Sequence, residues 1–89
     1  MAHASRYLTI NVNGLIDRAK RERVFSAIRL TNYDVVFLQE THVASLGLAQ
    51  QCKAEWEGES IWSVSPNRAS RGVATLFKSG LDLTISKSF

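Results

Sequence analysis

Tyr7-Leu-Thr-Ile-Asn11-Val-Asn13-Gly14 alternates apolar and polar residues, with β-branched Ile10 and Val12, and stops at Asn13-Gly14. A period of two that ends on a turn dipeptide predicts a strand. From Arg18 to Thr31 the period changes. Val24, Phe25, Ala27 and Ile28 recur at helical spacing and Thr31 continues their stripe, which predicts one amphipathic helix broken by Asn32 and Tyr33. Asp34 then leads into Val35-Val36-Phe37-Leu38, a run apolar on both faces, as expected of a strand covered from both sides. The order is β-α-β, and a helical crossover of this length makes the two strands parallel.

Beyond Glu40 the pattern weakens. Ala44 to Trp56 has helical composition with Gly47 near its start, so a short helix is expected there. Ile61 to Ser65 reads as a strand, residues 66–71 as a turn, and Gly72 to Phe77 as a second buried strand. Ser79-Gly80 makes another turn, and Leu81, Leu83 and Ile85 alternate with polar residues as a third strand of a meander would. The class is therefore α/β, a β-α-β unit followed by a β meander. Without repeats or a linker, residues 1–89 form a single domain.

Composition narrows the function classes. Among 89 residues 45% are hydrophobic and 21% charged, far from the disordered corner. The longest apolar run is the four residues Val35 to Leu38, so no membrane span is expected. No secretory leader is visible before Tyr7, and an intracellular site, nuclear or cytoplasmic, is the expectation. One cysteine, Cys52, excludes an internal disulfide, and with His3 and His42 as the only histidines a zinc site is not expected. The net charge is +3. Asp17 to Arg29 holds five basic residues against two acidic ones and carries the whole excess, while Glu55, Glu57 and Glu59 form an acidic stretch. A bipolar surface of this kind suggests a polyanion as partner.

Side chains at the C-terminal ends of parallel strands open into the crevice where α/β sheets bind ligands. Asn11 and Glu40 both fall there. An amide and a carboxylate on one edge suit a hard cation, because Mg²⁺ keeps several waters and needs only one or two protein carboxylates besides a phosphate. From spacing alone the same residues also read as a strand-ending turn and a solvated acid. On the helical wheel Lys20 and Arg21, in the first turn of the basic helix, lie within about 60° of the inward direction set by Val24. Because that turn follows the first strand, it should lie near the same edge. Positive charge there opposes the helix dipole. A DNA phosphate would favour it, and an ordinary solvated helix face is the other reading.

Three segments, Leu8-Thr-Ile-Asn11-Val-Asn13-Gly14-Leu15, Phe37-Leu-Gln39-Glu40-Thr41-His42 and Ser70-Arg-Gly72-Val73-Ala74, recur in this order in one known group. The sequence resembles the endonuclease/exonuclease/phosphatase superfamily. Its first two segments are most similar to the apurinic-type endonuclease domain that opens the polyprotein of non-LTR (LINE-type) retrotransposons. The resemblance runs from Arg6 to Phe77 and covers the first third to half of that domain. It implies the N-terminal part of a four-layered α/β sandwich, truncated on the C-terminal side, and metal-assisted hydrolysis of a DNA phosphodiester. Carried over residue by residue, it makes Glu40 the carboxylate that binds Mg²⁺ or Mn²⁺ and sets Asn11 beside the ion, where it orients the scissile phosphate. Asn13, where related apurinic repair enzymes carry an aspartate, becomes a weaker metal contact. His42 follows the motif without a catalytic role, and Gly72 and Val73 match a structural strand.

The family's later tyrosine, Asp-x-Asn pair and terminal Ser-Asp-His have no counterpart in these 89 residues: no histidine follows His42, and Asp82 precedes Leu83-Thr84. The expected chain is thus an N-terminal fragment of a retrotransposon-type endonuclease, inactive alone, whose partners are DNA and the rest of the polyprotein. Two alternatives stay open. One is a non-catalytic remnant that binds nucleic acid or protein through the basic helix or a sheet edge, and the other is a phosphoesterase fragment acting on a different substrate such as a phosphoinositide.

Overall fold

The structure, a computed structural model, describes residues 6–64 and 72–78. The alternation of the first segment forms β1 (Tyr7–Asn11), and the apolar run after Asp34 forms β2 (Val35–Gln39), parallel to β1 with Leu8 beside Val36 and Ile10 beside Leu38. Between them lies α1 (Arg18–Arg29), which buries Arg21, Phe25 and Ile28, one face at i, i+4 and i+7. It ends two residues before Thr31, which folds back instead: its amide and its hydroxyl both donate to the Ile28 carbonyl.

The stretch after Glu40 contains α2 (Leu46–Trp56), capped by Ser45, whose Oγ accepts from the Leu48 amide at 3.2 Å. Ala49, Cys52 and Trp56 turn inward. Next come β3 (Ser60–Ser63) and β4 (Val73–Phe77), antiparallel to each other. The expected strands at 61–65 and 72–77 are thus present with slightly shifted ends. β4 also pairs antiparallel with β2, so the sheet order is β1-β2-β4-β3. The expected turns at 66–71 and Ser79-Gly80 and the third meander strand at 81–86 lie outside the described residues.

The two faces of this sheet differ. Leu8, Ile10, Val36, Leu38, Ala74, Leu76 and Trp62 pack with α1 and α2 around Phe25, Ile28 and Trp56. Phe25 meets Trp56 edge-on at 5.5 Å, and the Trp56 indole N–H donates to the Phe77 carbonyl, pinning α2 to β4. The opposite face has no described element over it. Tyr7, Phe37, Ile61 and Val73 are exposed there, Phe37 at 38%. β2 is central within the sheet, and among the described residues the helices lie on one side of it. No helix among the described residues is long and apolar enough to cross a membrane.

Candidate active site

The edge at the C-terminal ends of β1 and β2 is built by the backbone of the three sequence segments. Val12 donates to the Gln39 carbonyl at 3.0 Å, Gly14 to Glu40 at 2.7 Å, Leu15 to Thr41 at 2.7 Å, and Thr41 to Gly72 at 3.1 Å. Two glycines permit this lacing. A Cβ on Gly72 (φ +105°) would lie 2.7 Å from the Thr41 hydroxyl, and one on Gly14 (φ +95°) would lie 2.6 Å from His42 Nδ1. Asn13, Glu40 and His42 also have positive φ, at 52°, 54° and 61°. Such strain persists only where its surroundings over-determine it, and it clusters at ligand clamps and active sites.

The side chains converge as the strand ends predict. Asn11 Nδ2 donates to Glu40 Oε2 at 2.8 Å, while Asn11 Oδ1 accepts from the Asn13 amide at 3.0 Å. The amide of Asn11 is therefore held at both ends, and it fixes one carboxylate oxygen. The other oxygen, Glu40 Oε1, lies 4.0 Å from His42 Nε2, too far for a hydrogen bond. Glu40 keeps 47% of its side chain exposed, enough for a substrate to reach it. Asn13 is exposed and contributes its backbone: its carbonyl accepts from Lys20 Nζ at 3.0 Å. Lys20 thus reaches the edge from the first turn of α1.

Arg21 does not, and the expectation that it contacts nucleic acid is corrected here. It is 2% exposed. Its Nε and Nη2 donate to Glu55 at 2.8 and 3.0 Å, and its Nη1 donates to the carbonyls of Leu15 and Ile16. The hydrogen bond to Glu55 holds the guanidinium pKa above its ordinary value, and the same bond holds the Glu55 carboxyl below its own against the opposing effect of burial. A neighbouring arginine, Arg29, donates to the last carbonyls of α2, Glu55 and Trp56, and lies over the Trp56 ring at 5.1 Å. These contacts tie the helices together. The inward angle of Arg21 was readable from the helical wheel, but its partner in a distant helix had no local signal.

Two open clefts of about 340 and 300 Å³ lie beside Arg29, lined by residues such as Arg18, Glu22, Glu57 and Lys78, away from the Asn11–Glu40 edge. Cys52 is fully buried, and burial pushes its thiol pKa up. Among the described residues no three of His, Cys, Asp and Glu converge on a cation position. The edge offers one free carboxylate oxygen. A single oxygen donor fits a hard cation that leaves most of its coordination shell to water and phosphate, as Mg²⁺ and Mn²⁺ do.

The family model described as Endonuclease/Exonuclease/phosphatase family matches residues 8–89, a span that includes every residue of this edge. No curated protein matches the chain.

Proposed function

We propose, for a chain that belongs to the endonuclease/exonuclease/phosphatase family and hence to a phosphodiesterase or nuclease type of protein, that it is the metal-holding N-terminal part of a DNA endonuclease of the apurinic, retrotransposon type. The observation that carries this reading is the Asn11–Glu40 pair, with one carboxylate oxygen pinned at 2.8 Å and the other turned to an open edge. Bound at Glu40, Mg²⁺ or Mn²⁺ would neutralise charge on the scissile phosphate. The chain's own groups then divide the labour. Glu40 supplies the anionic oxygen, and Asn11 keeps that carboxylate in one orientation, so it needs no reorganisation when the phosphate arrives. Asn13 shapes the turn beside them and is at most a water-mediated contact. Lys20, already at the edge, supplies a cationic group for a neighbouring phosphate.

A general base is missing from this set. The 89 residues contain no Asp-x-Asn and no histidine beyond His42. In this reading the remaining groups come from the rest of the domain, in the intact polyprotein. A positioned base contributes about 10²- to 10⁴-fold, and transition-state charge stabilisation a comparable factor. The purified chain therefore leaves supercoiled plasmid intact in Mg²⁺, indistinguishable from a Glu40→Gln control prepared identically. Nicking by the native chain that Glu40→Gln abolishes would mean that these residues form a working site alone, and the partial-domain reading would fall.

A further inference from the structure

The cation reading of Glu40 leaves one polar group of the edge unused, and the inference drawn from that group rests on that reading. His42 Nε2 is buried with no hydrogen-bond partner. Buried polar atoms are almost always paired, so an orphan of this kind asks for a ligand. The ring is not there by default: it lies against Gly14, where any Cβ would come within 2.6 Å of Nδ1. The backbone is equally committed. Glu40 and His42 both take left-handed φ, and Thr41 between them is fully buried and bonded to Leu15 and Gly72. Two side chains with opposite electrostatic demands thus project from a locked tripeptide into one space.

We propose that His42 is a second protein ligand of the Glu40 cation, its Nε2 and Glu40 Oε1 closing on one ion, and that this favours a transition-metal dication over Mg²⁺. The 4.0 Å gap stands at the outer limit of an ion pair. It is too long for a hydrogen bond. Two donors each about 2.1 Å from a shared ion stand about 3.0 Å apart at a right angle and about 4.2 Å apart in line, so the observed gap falls just short of the in-line arrangement. The softness of the donors then sets the preference. Mg²⁺ takes oxygen ligands, whereas an imidazole nitrogen is accepted by first-row transition metals, whose affinities climb from Mn²⁺ upward. Water and a substrate phosphate complete the shell.

Mn²⁺ itself is the probe. In the Mn²⁺-loaded chain, electron spin-echo modulation should show coupling to a ¹⁴N nucleus, absent in His42→Asn, a substitution that tolerates the left-handed backbone. Mn²⁺ affinity should fall about 10-fold in that variant while Mg²⁺ affinity moves by less than about twofold. The native spectrum is decisive even if the variant folds poorly. Mn²⁺ that is lost on Glu40→Gln but shows no ¹⁴N coupling would overturn the role of His42 and leave the Glu40 site standing. Mn²⁺ bound away from Glu40 would overturn both.

Discussion

Two charged clusters meet the first turn of α1, and they are opposite in kind. In one, Arg21 is buried and all three guanidinium nitrogens donate, to Glu55 and to two carbonyls. In the other, Asn11 holds only one oxygen of Glu40, and the second faces an imidazole nitrogen without a partner. Lys20 and Arg21 are neighbours in sequence yet serve different clusters. A charge whose hydrogen bonds are complete is spent on joining α1 to α2. A charge left with an open oxygen, on a strained and partly exposed edge, is available for chemistry.

That contrast breaks most visibly at Arg21. Removing one partner of a buried pair strands the other, at a cost of about 3–5 kcal/mol. Since a domain's whole stability is about 5–15 kcal/mol, Arg21→Ala should be largely unfolded or show a much lower urea midpoint. Arg21→Lys should not rescue it, because the ammonium cannot make the two-pronged contact. Acid sharpens the same point. Arg21 lowers the folded-state pKa of Glu55, so this contribution is whole above the ordinary carboxylate value and is lost as pH falls through the folded one. Urea midpoints measured down a pH series should fall there, and Glu55→Gln should flatten the decline.

Gly14→Ala comes next in size. It forces a left-handed φ on a residue with a Cβ and drives that carbon into His42, together about 1–3 kcal/mol. The loss should be partly recovered in the Gly14→Ala, His42→Ala double variant, read from the same denaturation curves. An unrecovered loss would mean the ring is not seated on Gly14. The smallest effect is expected at Lys20. Lys20→Ala should change stability by less than about 0.5 kcal/mol but reduce the salt slope of DNA binding by about one. An unchanged slope would remove Lys20 from the phosphate contacts.

Much of this was legible because it is local. The period-two run of β1, the apolar run of β2 and the helical stripe between them place Asn11 and Glu40 on one edge, and the structure brings the two side chains to 2.8 Å. What was not legible depends on pairing at a distance. Arg21 looked like a DNA contact because its charge is local information, whereas Glu55 lies 34 residues away. Glu40 carries no mark of its left-handed backbone, since glutamate does not favour it.

The central claim is that the open oxygen of Glu40 holds a divalent cation, and titrating Mn²⁺ into the isotope-labelled chain while following amide signals tests it most directly. Paramagnetic broadening should centre on Asn11, Glu40 and His42, at millimolar Mn²⁺ because water supplies most of the shell, and should vanish in Glu40→Gln. Broadening centred instead on Glu55, Glu57 and Glu59, with signals around Glu40 left sharp, would contradict it.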